Sequence, residues 1–149
     1  MDIIKDKECE KLIKQFYYLL DIATNANEFK PILTDDFTLG FQKAARTNNA
    51  NHFKLKKSLY KDEKHILLSI DRIHSTARLA TVSTTMEWKA TQLAKENAPQ
   101  QFLHANIHHT WLIERDKSGQ LKLAGQLVDD FVYLKDSDIK QSHIEKFQT

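Results

Sequence analysis

The chain has 149 residues, 41% of them apolar and 28% charged, with a formal net charge of +2. That composition suits one soluble globular domain with a sizeable core, and the interspersed 22 basic and 20 acidic residues argue against a nucleic-acid-binding face. The single cysteine, Cys9, excludes an internal disulfide and a cysteine-based zinc site.

The opening residues Met1 to Lys7 are too charged for a secretory segment, and no apolar run approaches the ~18 residues that span a bilayer. No membrane association and a cytoplasmic location are therefore expected. One domain over residues 1–149 is expected, with its core at about 6–134 and a polar tail at 135–149.

A first helix is expected from Asp6 to Asn25, because Cys9, Leu12, Ile13, Phe16, Leu20 and Ala23 recur at three- and four-residue spacings. Tyr17 and Leu19 fall at the edges of that stripe and Tyr18 opposite it. Asn25 and Asn27 can end this helix and cap a short second one near Glu28 to Leu33, with Pro31 in its first turn. Phe37, Leu39 and Phe41 alternate with polar or small residues, as in a short strand. A third helix is expected to start near Asn51, offering Phe53, Leu55, Leu59 and Tyr60 for burial. The basic cluster Lys54, Lys56, Lys57 and Lys61 reads as its solvated face, because Asp62 and Glu63 follow at once.

Four long β-like segments come next: His65–His74, Ala77–Thr91, Phe102–Arg115 and Gln120–Leu134. Asp116-Lys117-Ser118-Gly119 signals a tight turn between the last two. Helices followed by long strands indicate an α+β fold, with helices against one face of an antiparallel sheet.

The same order of elements resembles the nuclear transport factor 2-like superfamily. Ile32-Leu33-Thr34-Asp35-Asp36-Phe37 is similar to that family's apolar-apolar-x-acidic-acidic-apolar step into the first strand, and the likeness covers residues 6 to 134. The resemblance implies N-terminal helices packed in a strongly curved antiparallel sheet, a cone-shaped α+β barrel whose open end is a pocket. It also implies a homodimer through the outer sheet face. Members include SnoaL-like cyclases, steroid isomerases, dehydratases, transport factors and non-catalytic association domains, so the fold alone does not choose a function.

Alternation along the strands assigns an inside and an outside. Leu103, Ala105, Ile107, His109, Trp111 and Ile113 form the inward face of the third long segment. Ala80, Val82, Thr84, Met86, Trp88 and Ala90 do so in the second. In the fourth, Leu121, Leu123, Gly125, Leu127, Asp129 and Phe131 are expected inward. Keeping apolar residues opposite one another pairs Ile113 with Leu121, Trp111 with Leu123, His109 with Gly125, Ala105 with Asp129 and His104 with Asp130.

His109 and Asp129 are then the inward polar groups and the catalytic candidates for general acid–base work. The same register sets them roughly 13 Å apart along the strands, which argues against direct contact. His109 is equally readable as a core histidine, and Asp129 as a residue of the pocket rim. Tyr17, Met86, Trp88, His109, Trp111 and Phe131 are the expected ligand pocket, suited to an apolar ring-shaped or aliphatic molecule. No cofactor is implied, and His104 and His108 are too far apart along their strand to share a metal. The positions where steroid isomerases carry a base hold Leu39, Gly40 and Phe41. Two functions stay open: a small-molecule-binding protein with isomerase, cyclase or dehydratase chemistry, or a non-catalytic homodimeric association domain.

Overall fold

The computed structural model describes residues 2–41, 47–48, 57–96 and 99–139. Helix α1 spans Asp6–Ile22 and buries Cys9, Leu12, Ile13, Phe16 and Tyr17. Asp6 and Glu8 place negative charge at its N-terminal end, and the Glu8 carboxylate accepts the Lys5 N–H. The helix stops short of the expected Asn25, because Glu28 captures the N–H groups of Thr24 and Asn25. Asn25 in turn accepts the Asn27 N–H and opens a 3-10 helix, Ala26–Ile32. Pro31 lies near the end of that element rather than in its first turn.

The strands are β1 (Leu33–Phe41), β2 (Thr47–Asn48), β3 (Tyr60–Ser75), β4 (Leu79–Gln92), β5 (Gln101–Arg115) and β6 (Leu121–Tyr133). They form one curled, open sheet in the order β2-β1-β6-β5-β4-β3. The four long strands β3 to β6 are antiparallel neighbours as expected, while β1 joins β6 in parallel and makes the sheet mixed. Most of the third helix expected from Asn51 lies outside the described residues; residues 57–59 are helical and Tyr60 already begins β3.

Packing between α1 and the sheet is aromatic. Phe16 meets Phe29, Phe37 and Trp111 with ring centroids 5.4, 5.8 and 5.2 Å apart. Such pairs add about 0.5–1.5 kcal/mol each beyond their buried area. Strands β4 and β5 present the inward faces read from their alternation, and every one of those twelve side chains is buried. Their fourteen-pair register, Leu79 with Glu114 through Gln92 with Gln101, contains no irregularity.

Strand β6 departs from simple alternation. Its register against β5 shifts between the pairs Ile113–Leu123 and Leu112–Gly125, and again between His109–Val128 and His108–Asp130. Each shift is a β-bulge, at Ala124 and at Asp129, and each reverses which side chains face inward. Leu123, Gln126, Val128, Phe131 and Tyr133 therefore oppose the inward residues of β5, while Gly125, Leu127 and Asp129 lie toward the outer face. The expected pairs Ile113–Leu121, Trp111–Leu123, His109–Gly125, Ala105–Asp129 and His104–Asp130 are all replaced: the hairpin sets Arg115 opposite Leu121, two positions off the expected register, and the two bulges add one position each. Asp130 pairs with His108, and Gly125 with Leu112.

Candidate functional site

Tyr17 is buried rather than at the edge of the helix stripe, and it organises the centre of the cone. Its hydroxyl lies 3.0 Å from His109 Nδ1. Thr84 accepts the indole N–H of Trp111 at 2.9 Å. Burial pushes the Tyr17 hydroxyl pKa well above the ordinary phenol value, so Tyr17 stays a neutral donor.

A second histidine packs against Tyr17. His65 stacks on the tyrosine ring with centroids 5.9 Å apart and planes 10° apart. Its Nδ1 meets Asp21 Oδ1 at 2.7 Å, and its backbone N–H donates to Asp21 Oδ2 at 3.2 Å. Asp21 follows Tyr17 by four residues and so lies one helical turn along the same side of α1. Glu63 comes within 3.6 Å of His65 Nε2 and accepts the Trp88 indole N–H at 2.9 Å. The side chains of His65 and Glu63 are only 3% and 4% exposed.

The pocket residues expected from the sequence divide into two contacting groups. Tyr17, His109 and Trp111 touch one another at ring separations of 5.6 to 6.3 Å. Trp88 and Phe131 lie 5.7 Å apart, flanked by Tyr60 and Tyr133. Met86 is fully buried on the inward face of β4 between Thr84 and Trp88. Burial raises the Tyr60 pKa to about 12, the nearby Glu63 charge adding to the effect, and it raises that of Tyr133 further.

Asp129 is not part of this group. It accepts a hydrogen bond from Thr110, an outward-facing residue of β5, so the bulge that carries it turns it away from His109. His109 instead meets the Tyr17 hydroxyl. Asp21, Glu63 and His65 did not emerge from the sequence reading. The signal available for Asp21 was its four-residue offset from Tyr17, which the search for apolar repeats passed over.

The outer sheet face carries its own histidines. His104 sits between Glu87 and Asp136, each at 2.6 Å, and His108 bonds Thr85, which donates to Asp71. Among the described residues, no group of three or more His, Cys, Asp or Glu is arranged to hold a metal. No helix among them is long and apolar enough to cross a membrane.

No protein-family model and no curated protein matches the chain by sequence. Solved structures do match. A nuclear transport factor 2-like superfamily protein from Salmonella enterica serovar Typhimurium LT2 superposes with a TM-score of 0.68 at 11% identity, covering 83% of this chain and 88% of its own. A hexachlorocyclohexane dehydrochlorinase, LinA type 2, gives 0.66 at 13% identity over 91% and 90% of the two chains. A candidate scytalone dehydratase from Novosphingobium aromaticivorans gives 0.64 at 13% identity over 91% and 89%. The chain has the nuclear transport factor 2-like fold.

Proposed function

We propose that this protein binds a modest apolar molecule, ring-shaped or aliphatic, and moves protons on it in an elimination or isomerisation. The observation that carries this reading is the Asp21–His65 contact, a carboxylate 2.7 Å from a buried imidazole. A carboxylate on Nδ1 orients the ring and aims Nε2 as the proton-transfer atom. The linked Tyr17–His109 pair supplies further polar groups within the same apolar wall. Neighbours in fold that are described as a dehydrochlorinase and a candidate dehydratase support the reaction class.

The test is native mass spectrometry for a co-purified molecule, followed by thermal shifts against hydroxylated, halogenated and steroidal rings and aliphatic analogues. A ligand that raises the wild-type melting temperature should be turned over by wild type and not by His65→Ala or His109→Ala. If nothing in such a panel shifts the wild type, the pocket reading fails.

A homodimer through the outer sheet face is part of the proposal. Ile66, Leu112 and Val132 lie on that face and are 43%, 36% and 47% exposed, among otherwise polar side chains. Light scattering should give twice the chain mass, reduced to one by Val132→Glu with Leu112→Glu. The second reading is a non-catalytic association domain. The edge-to-face contacts among Tyr60, Trp88, Phe131 and Tyr133 favour it, since they suit a cone filled by its own side chains.

A further inference from the structure

Strand β3 carries a feature that the Asp21–His65 contact alone does not require. Its register against β4 runs from Lys61–Thr91 to Lys64–Lys89, so Asp62 and Glu63 together oppose one residue. Asp62 adopts a φ of 53°, the left-handed conformation that such a bulge needs. Tyr60 and His65 are five residues apart, an odd spacing that would put them on opposite faces of a regular strand. The bulge lets both face the cone, with Glu63 between them.

Glu63 is thereby a carboxylate with a side chain 4% exposed, which is costly unless its charge is balanced. Its Oε2 accepts the Trp88 N–H at 2.9 Å and lies 3.6 Å from His65 Nε2. That second distance exceeds a hydrogen bond, so Glu63 acts on the ring through charge. Asp21 holds the other ring nitrogen at 2.7 Å.

We propose that Glu63 is a positioning residue that, with Asp21, keeps His65 as the doubly protonated imidazolium, so that this site begins its reaction as a proton donor. The inference rests on the proton-transfer reading of the site. Among the described residues, the groups that face His65 include Tyr17 and Asp21 from α1, Glu63 from β3 and the uncharged Trp88 from β4, with His109 of β5 reached through Tyr17. Lys57 brings a cation to the Leu20 carbonyl at 2.8 Å, beside Asp21. Two carboxylates at opposite ring nitrogens are set against one ammonium, and the balance favours the charged ring.

The test is a nitrogen-15 NMR titration of His65 in ligand-free protein, assigned with His65→Gln. In wild type His65 should remain protonated through neutral pH. Glu63→Gln should lower its midpoint by about one pH unit or more. Trp88→Phe, which keeps the carboxylate and removes its anchor, should lower it less. A wild-type His65 that is neutral at neutral pH, or a titration unmoved by Glu63→Gln, overturns the proposal. A ligand screen without hits would remove the reaction and leave this titration standing, so the two failures are distinguishable.

Discussion

The Tyr17 ring stacks parallel to His65, and its hydroxyl bonds His109. One helical side chain thus couples histidines from β3 and β5 that share no strand pairing, and the coupling is made entirely in the interior. Tyr17→Phe keeps the ring stack and deletes the hydroxyl, and with it the bond to His109 Nδ1. A buried group deprived of its hydrogen bond costs about 1–3 kcal/mol. Urea unfolding of Tyr17→Phe should show that loss with an unchanged m-value; a midpoint equal to wild type would mean that the Tyr17–His109 bond is not formed.

Asp129 and His109 should be energetically independent. Asp129 bonds Thr110 on the opposite face, so its removal costs about 0.5–1.5 kcal/mol, the worth of one hydrogen bond. In a double-mutant cycle, Asp129→Ala should couple to Thr110→Val and show less than about 0.5 kcal/mol of coupling to His109→Ala. Coupling above that bound would restore Asp129 to the inner site.

How far the sequence could be read depended on where the backbone stays regular. β4 and β5 pair without a bulge, so period-two alternation named their inward faces correctly over their whole length. β6 contains two bulges, and its sequence disguises both. Ala124-Gly125 is a pair of small residues, Leu127-Val128 a pair of apolar ones and Asp129-Asp130 a pair of acids, so slipping one position leaves the pattern looking the same. Asp21 was hidden differently: a hydrophobic stripe is a search for apolar residues, and a carboxylate one turn beyond Tyr17 is invisible to it. His65 could be seen as the start of a strand, but only the bulge at Asp62 and Glu63 explains its company.

The two described glycines of the β5–β6 hairpin should respond differently to alanine. Gly119 has φ +89°, where a side chain is strained although nothing lies within 4 Å. Gly119→Ala should cost about 1 kcal/mol through backbone strain alone. A Cβ on Gly125 would meet Thr38 Oγ1 at 3.5 Å, an ordinary contact, so Gly125→Ala should change stability by less than about 0.5 kcal/mol. Thermal unfolding of the two variants tests the pair; equal losses would contradict the assigned turn.

Stability should decline on the alkaline side. Burial raises the Cys9 thiol from 9.0 to about 11, with the nearby Asp6 and Glu8 charges adding to it. Burial likewise raises Tyr60 from 10.0 to about 12. Between the unfolded and folded values the native state binds more protons than the unfolded chain, so stability falls as pH rises. These contributions are complete below pH 9 for Cys9 and below pH 10 for Tyr60, and are lost through pH 11 and 12. Melting temperatures should therefore begin to fall near pH 9 in wild type, and about one unit later in Cys9→Ala, where Tyr60 remains and the thiol does not. Identical curves would show that the thiol is not held neutral by the fold.

Deleting Asp62 should leave Tyr60 in the cone. Asp62 and Glu63 together oppose one residue of β4, so the deletion removes the extra residue of the bulge. Tyr60 and His65 then stand four positions apart, and strict alternation keeps them on one face. Tyr60 should keep the Trp88 ring and its raised value of about 12. Asp62→Gly should behave alike, since glycine adopts φ 53° without strain and the bulge persists. Tyrosinate absorbance read against pH tests both variants. A deletion variant in which Tyr60 ionises near its ordinary value of 10.0 would mean that the strand does not return to regular pairing, and that the shared inward face depends on Asp62 itself.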